Sequence, residues 1–400
     1  MSARAPSVKE VRKGWWGTVI LFLVHGLVVS TWLSRIPAVQ SALHLANGVL
    51  GLTLLSSAIG AVSSIPVTGW LINRYGSRRV TAIASSLFCL SIILLGAAFN
   101  TLTLAAALFV FGVLAAAMDV SMNAQGVEVE KALGKPTMSR FHGMFSLGGM
   151  IGAGLGGAAA AHGAHVLPHF TVSAAVNFLA IVSAVALLLE THAGAGGAEH
   201  RLPLRAIPRV LFALSAIGFC ILLAEGAMAD WTAVYLKQVL RAGPGTAAAG
   251  YAVFSAAMAV FRFLGDLITA RLGPMRTVRA GSLVAAVGLA WALLMPSPVW
   301  SLPGFAATGA GFSVIIPLVF GSGGRITGIP PGPGIATVTG IGYIGFIVGP
   351  PTIGFAAQLS NLRYALGIVV VCCIISAMLA RSMRALEPAA VPEHAPELHF

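Results

Sequence analysis

Twelve runs of apolar residues, each 18 to 28 residues long, alternate along the chain with short polar stretches. In the first half they cover 14–37, 48–72, 80–99, 102–127, 139–161 and 167–189. In the second half they cover 209–236, 246–270, 278–295, 299–321, 334–358 and 362–381. A helix needs about 20 predominantly apolar residues to cross the hydrocarbon core of a bilayer. Each run is therefore read as a membrane-spanning helix, the form that satisfies every backbone polar group within one segment. The stretch from Glu190 to Pro208 separates the halves and carries Gly194, Gly196, Gly197, His200, Arg201 and Arg205. It reads as a polar linker at the membrane surface. The first run follows Arg4, Lys9, Arg12 and Lys13 and resembles a secretory signal. It is too long for a signal core and lacks a small-x-small cleavage site, so it is read as a retained first span.

An even number of spans puts both termini on one side. Nineteen of the 24 basic residues then fall on that side, from Arg4 through Arg74, Arg78, Arg79, Arg271 and Arg276 to Arg384. Lys237, Arg241 and Arg363 fall opposite, and Arg35 and Arg262 lie within spans. The positive-inside rule makes the terminal side cytoplasmic. Only 9% of the 400 residues are charged and 57% are hydrophobic, where soluble domains carry about 25% charge. That excludes an ordinary soluble enzyme and a disordered chain. The net charge of +12 sits in clusters at span ends, so it is read as a topology signal and not as a nucleic-acid surface. Cys89, Cys220, Cys372 and Cys373 all lie in apolar runs without a CxxC pair, so neither a structural disulfide nor a zinc site is expected. The 47 glycines suit close helix packing in lipid.

The halves share landmarks six spans apart. Gly69-Trp-Leu-Ile-Asn73-Arg74-Tyr-Gly76-Ser-Arg78-Arg79 follows span two, and Gly265-Asp266-Leu-Ile-Thr-Ala-Arg271-Leu-Gly273-Pro-Met-Arg276 follows span eight. Span five carries Gly148, Gly149, Gly152, Gly154, Gly156 and Gly157. Span eleven carries Gly342, Gly345, Gly349-Pro350-Pro351 and Gly354. Matching features in corresponding positions predict two pseudo-symmetric six-helix bundles related by a parallel repeat. Their bounds are read as 1–189 and 209–384, with a cytoplasmic linker over 190–208 and a tail over 385–400.

On these motifs the chain resembles the major facilitator superfamily. The loop after span two is similar to that superfamily's Gly-x-Leu-Ala-Asp-Arg-x-Gly-Arg-Arg signature, with Asn73 where the usual acid stands. A closer resemblance lies in Met118-Asp119-Val-Ser-Met-Asn123-Ala-Gln125 with Glu128, in Ser139-Arg-Phe-His142-Gly-Met-Phe-Ser-Leu-Gly148-Gly149, and in Glu225-Gly-Ala-Met-Ala-Asp230-Trp231. These stretches resemble the YbjJ-type, fucose-permease-like permeases of bacterial inner membranes. The resemblance implies alternating access between two bundles around a site near the bilayer midplane.

Ionisable groups inside a bilayer are costly and are functional candidates by default. Asp119 lies in span four below the midplane, with Asn123 one turn on along the same face. Together they suit a proton or a sugar hydroxyl. Glu128 is nine residues beyond Asp119, about 180° around the helix, and is expected to pair with Arg74 or Arg78 near the cytoplasmic gate. Glu225 lies near the middle of span seven, where a carboxyl can take up and release a proton. Asp230 and Trp231 lie nearer the outer end and suit a polar ligand with an apolar face. Arg262 and Asp266 are four apart and suited to pair, with Glu225 as the alternative partner of Arg262. Arg35 can snorkel to the outer interface or meet substrate. His25 and His142 are substrate or proton candidates, or hydrogen-bonded packing residues. His162, His165 and His169 have no neighbouring carboxylate or cysteine to support a metal. Asn177, Gln358 and Tyr343 are polar groups within spans; the resemblance implies that span eleven, with Tyr343, lines the cavity. Pro317 and Gly349-Pro350-Pro351 break helical hydrogen bonding and suggest bending elements. Gly69, Asn73, Arg74, Gly76, Arg78, Glu128, Asp266, Arg271, Gly349 and Pro350 make up the gating set.

The expected function is secondary active transport of a small polar or amphiphilic solute, with protons as coupling ions and the bilayer as partner. No cofactor is expected, and the chain is expected to act as a monomer in a bacterial inner membrane. No GxxxxGK[ST], HExxH or GxSxG motif argues for ATP drive or enzyme chemistry. Gly148-Gly149 lacks the following proline of antiporter motifs, which favours symport or uniport, although Gly345 to Pro350 offers a related element. The alternatives are an efflux antiporter for drugs or lipophilic compounds, which calls for a broad aromatic cavity, and a non-transporting membrane sensor, which calls for a sizeable soluble domain.

Overall fold

A computed structural model describes residues 7–135, 137–190 and 208–386. Thirteen helices follow in order: α1 (Val8–Ala42), α2 (Asn47–Tyr75), α3 (Ser77–Gly96), α4 (Thr101–Leu133), α5 (Met138–Ala161), α6 (Val166–Val185), α7 (Arg209–Gln238), α8 (Pro244–Leu272), α9 (Pro274–Leu294), α10 (Pro298–Phe312), α11 (Ile315–Gly323), α12 (Pro331–Leu359) and α13 (Leu362–Leu379). A 3-10 turn, Ala380–Leu386, follows α13. Twelve spans are long and apolar enough to cross a membrane, with α10 and α11 together forming the tenth.

The helices begin and end where capping chemistry allows, often beyond the apolar windows. α1 starts six residues before its apolar run because Ser7 and Glu10 form a reciprocal cap: the Ser7 amide donates to the Glu10 carboxylate at 2.7 Å, and the Glu10 amide donates to Ser7 Oγ at 3.3 Å. α4 continues through Glu128 and Glu130 to Leu133 and stops at Gly134, whose φ of +64° places it in the left-handed region. The tenth apolar run is not one helix. Pro317 has no N–H to give the carbonyl of Ser313, four residues back, and α10 stops at Phe312 before α11 resumes at Ile315. Pro350 and Pro351, by contrast, lie within a helix that continues to Leu359.

The packing repeats as the sequence does. α1 packs on α5 as α7 packs on α12; α2 on α4 as α8 on α10; α3 on α4 and α6 as α9 on α10 and α13. The contacts between the bundles are themselves mates: α2 lies on α12, and α5 lies on α8. The repeat extends to single torsions. Gly76 between α2 and α3 has φ +81° and ψ 151°, and Gly273 between α8 and α9 has φ +78° and ψ 158°. That region of backbone space is essentially restricted to glycine, at a cost on the order of 1–3 kcal/mol for other residues. The glycine-rich face of α5 serves close approach: a Cβ on Gly148 would strike the carbonyl of Leu23 on α1.

Both termini of the described chain lie at one end of the molecule, the termini side, and the α1–α2, α7–α8 and α12–α13 loops lie on the far side. Hydrogen bonds join the bundles at the far side, through Gln40, Asn47 and Gln238, through Gln358 and the Gly48 amide, and through Lys237. Toward the termini side, the last inter-bundle hydrogen bond among the described residues joins Ser146 of α5 to Arg262 of α8. Among the described residues, the hydrogen bonds between the bundles are thus concentrated at the far side, while beyond Ser146 and Arg262 the Phe263 ring of α8 packs on Gly143 of α5.

Candidate functional site

The broken tenth span explains the position of the best-connected charge in the bundle interior. The Ser313 carbonyl, left without a helical donor by Pro317, accepts from Arg262 Nε at 3.3 Å. Arg262 Nη1 reaches across to Ser146 Oγ at 2.8 Å, and Nη2 stands 3.6 Å from the Glu225 carboxylate. One guanidinium thus ties α8 to the α10–α11 break, to α7 and to the opposite bundle. Both partners of the ion pair are mostly buried, with 14% of the Arg262 side chain and 21% of the Glu225 side chain exposed. Of the two pairings open to Arg262 in the sequence, the structure selects Glu225. Asp266 is exposed on α8 and forms no ion pair among the described residues.

In the opposite bundle Asp119 projects from α4 with 40% of its side chain accessible, in a helix otherwise sunk in apolar surroundings. Asn123 Nδ2 donates to the Asp119 carbonyl at 2.8 Å and to its carboxylate at 3.2 Å, as their spacing implies. His25 Nδ1 of α1 lies 4.0 Å from the same carboxylate, a separation that becomes an ion pair when the imidazole is protonated. The His25 ring packs on Phe88 and Phe145 at 5.2 and 5.3 Å, and neither ring nitrogen has a hydrogen-bond partner. His142 stands on Phe22 and within electrostatic reach of Arg262. Tyr343 of α12 is half-buried, with its ring 6.2 Å from that of Phe346, and Tyr251 of α8 is buried and stacks on Phe254 at 5.7 Å. Asp230 is half-buried and has no hydrogen-bond or ion-pair partner among the described residues.

The structure therefore brings His25, Asp119 and Asn123 together in one bundle and Glu225 and Arg262 together in the other, with Arg262 also reaching Ser146 of the first. A cluster of this kind can bind hydroxyl, amine or carboxylate groups, and it can hold protons.

A family model described as Major Facilitator Superfamily matches residues 17–328. The chain belongs to this superfamily. It is 37% identical over 368 residues to an uncharacterised MFS-type transporter of Yersinia pestis, covering 92% of this chain and 94% of that one. In fold it is similar to a bacterial homologue of the human lysosomal transporter Spinster, in an inward-facing and unoccupied conformation, with a TM-score of 0.74 at 13% identity over 96% of this chain and 100% of that one. It is also similar to the MFS transporter FucP in an outward conformation, with a TM-score of 0.60 at 16% identity over 91% and 97% of the two chains. The protein is a multi-pass membrane transporter of the secondary type, and not an enzyme.

Two expected members of the transporter's cluster lie elsewhere. Trp231 is fully buried in the α7 core, and its Nε1 has no hydrogen-bond partner. Adjacent on the helix, Asp230 is half-buried while Trp231 turns fully into the core. Arg35 does not snorkel. It is 3% exposed and donates from Nη2 to the Ala164 carbonyl at 2.5 Å, at the far-side end of its own bundle.

The termini-side members Arg74, Arg78 and Glu128 of the gating set contact residues of their own half of the chain. Asn73 and Arg74 are exposed, and Arg74 lies over the rings of Trp70 and Tyr75 at 5.5 and 5.6 Å. Arg78 pairs with Glu190 at 2.7 Å. Glu128 pairs with Lys131 on its own helix at 3.0 Å, not with Arg74 or Arg78 as expected. The i,i+3 neighbour is in reach without any ordering of a second helix, which favours the local pair. A Cβ on Gly69 would meet nothing within 4 Å, and Arg271 is exposed at the end of α8. Gly349 lies against Leu223 of α7, while the Pro350 carbonyl lies against Gly51 of α2, so this element sits at the far-side crossing of the bundles.

That crossing carries residues the sequence reading passed over. Gln40 Nε2 donates to Asn47 Oδ1 at 2.9 Å, Asn47 Nδ2 donates to Gln238 Oε1 at 3.1 Å, and Gln238 Nε2 donates to Gln40 Oε1 at 3.1 Å. Lys237 Nζ donates to the Pro37 carbonyl at 2.9 Å and to Ser41 Oγ at 2.7 Å. The available signal was the concentration of amide side chains at the far ends of spans one, two, seven and eleven. Gln125, within a recognised motif, is structural: fully buried, it donates to Ser77 Oγ at 2.9 Å and to the Leu189 carbonyl at 3.2 Å.

Proposed function

We propose that this transporter moves a small polar or amphiphilic solute across a bacterial inner membrane by alternating access, with protons coupled through Asp119 and Glu225. The observations that carry the reading are an accessible Asp119 carboxylate in one bundle and a mostly buried Arg262–Glu225 pair in the other, whose guanidinium reaches across to Ser146. A state with the far side latched is one of the two that alternation requires. Asn123, His25, His142, Asp230 and Tyr343 surround the solute, and Arg262 orients it. The loops with Gly69, Asn73, Arg74, Gly76, Arg78, Glu128, Asp266 and Arg271 close the termini side in the opposite state. The crossing at Gly349 and Pro350 opens the far side.

The concentration of basic residues on the termini side supports a cytoplasmic placement of both ends. The moving bodies are residues 1–189 and 209–384, joined by a linker over 190–208 and followed by a tail over 385–400. Residues 191–207 and 387–400 of these segments lie outside the described residues, as do residues 1–6 with Arg4. The transporter acts as a monomer and groups with the YbjJ-type permeases.

A thermal-shift screen of sugars, organic acids and cationic compounds on the purified protein tests this reading, because a ligand of the native state stabilises by mass action. A solute present at about 100 times its dissociation constant is expected to stabilise by about 2.7 kcal/mol. The shift should vanish in Asp119→Asn. A stabilising solute whose effect persists unchanged in that variant binds elsewhere.

A further inference from the structure

A basic recess opens on the termini side of the second bundle, away from the central cluster. It has a volume of about 520 Å3, and its wall carries Arg276 and Arg279 of α9 with Arg381 and Arg384 of the turn after α13. All four are exposed, and none has an ion-pair or hydrogen-bond partner among the described residues. Met275, Ala280 and Leu283 complete the wall with apolar surface. Four guanidiniums on one recess repel one another unless an anion joins them.

The recess continues into a second groove. That groove, about 440 Å3, shares Leu283 and runs along Val284, Val287 and Trp291 of α9. Its other wall is Pro303, Gly304 and Ala307 of α10. Its cause lies in the sequence: Gly288 and Gly304 let α9 and α10 approach to backbone contact, leaving a furrow where larger side chains would have filled the surface. From Arg276 to Trp291 the groove follows one helix stripe for about 22 Å. That length suits one leaflet of a bilayer whose core is about 30 Å thick, with its headgroup layer. The furrow is almost wholly apolar and the recess is cationic, in the order a phospholipid presents chains and headgroup.

We propose that Arg276, Arg279, Arg381 and Arg384 form the headgroup site of an anionic phospholipid, with its acyl chains in the α9–α10 groove. Guanidinium groups match phosphate oxygens in bidentate pairs, and four of them suit a headgroup with two phosphates, as in a diphosphatidylglycerol. Seated there, the lipid ties α9 to the turn that closes the chain's last span.

The experiment compares lipid binding by the full-length protein in neutral detergent, read by native mass spectrometry and by melting temperature. The probes are diphosphatidylglycerol, phosphatidylglycerol, phosphatidylethanolamine and inorganic phosphate. Wild type should bind diphosphatidylglycerol most tightly, phosphatidylglycerol next and phosphatidylethanolamine at least tenfold more weakly. The Arg381→Gln/Arg384→Gln variant, altered only in the terminal turn, should lose at least tenfold in affinity for diphosphatidylglycerol. The Arg276→Gln/Arg279→Gln variant should do the same. Equal affinity for the three lipids, or retention of wild-type affinity in both variants, overturns the site. Stabilisation by inorganic phosphate equal to that by the lipids overturns the acyl-chain groove and with it the lipid.

Discussion

Replacing Arg262 by alanine should abolish transport and destabilise the protein together. The guanidinium holds three partners, and each is left in a different difficulty. Glu225 remains in a mostly buried position without its cation, and breaking a buried pair on one side costs on the order of 3–5 kcal/mol. The Ser313 carbonyl, already without a helical donor because of Pro317, loses its only described hydrogen bond. Ser146 loses the bond that crosses the bundles nearest the termini side. Flux of a stabilising solute into proteoliposomes should fall by about 100-fold or more. The melting temperature should fall as well. Adding Glu225→Gln to Arg262→Ala should restore much of the stability, because a neutral amide no longer needs the cation, while flux stays lost. Recovery of flux in the double variant would show that the pair serves folding alone.

The second large effect is conformational. Gln238 makes three of the bonds that close the far side, two to Asn47 and one to Gln40. A typical hydrogen bond contributes about 0.5–1.5 kcal/mol net, and these are partly exposed, so Gln238→Ala should weaken the latch by about 1.5–3 kcal/mol. At about 1.4 kcal/mol per factor of ten, the far-side-open population should rise by roughly tenfold to 100-fold. A cysteine at Tyr343, in a background without Cys89, Cys220, Cys372 and Cys373, reports this. Its labelling by an impermeant thiol reagent applied from the far side should accelerate by at least tenfold in Gln238→Ala. Unchanged labelling would mean that the latch is incidental to closure.

The fold was readable because the bilayer imposes its constraints on the sequence directly. Twelve apolar runs became twelve spans, and the spacing of Gly76 and Gly273 marked a repeat that recurs in packing and in torsion angles. Helix ends were less legible: hydropathy marks what the bilayer needs, whereas caps such as Ser7 with Glu10 decide where a helix starts. Pro317 announced a break, but not that the freed Ser313 carbonyl would orient Arg262. The central cluster was partly visible, since charges within spans are few and stand out. Sequence could not tell which neighbour each charge would choose. Arg262 had two acids in range, and Glu128 took the local lysine over the distant arginines. For Arg35 and Trp231, position along a span gives a residue's depth but not the direction its side chain faces, and both side chains turn into the core. Of the far-side amides only Gln358 stands out in the sequence, because Gln40, Asn47 and Gln238 at span ends look like ordinary interfacial residues until two bundles bring them together.

In the proposed cycle Asp119 and Glu225, one in each bundle, carry the proton that accompanies the solute. Purified protein reconstituted with a pH-sensitive dye inside the vesicles tests it directly, using a solute that stabilises the wild type. Solute addition should move protons in wild-type vesicles, and this movement should be absent in Asp119→Asn/Glu225→Gln vesicles that contain the same amount of folded protein. Solute-driven proton movement at the wild-type rate in the double variant would mean that neither carboxylate carries the coupled proton.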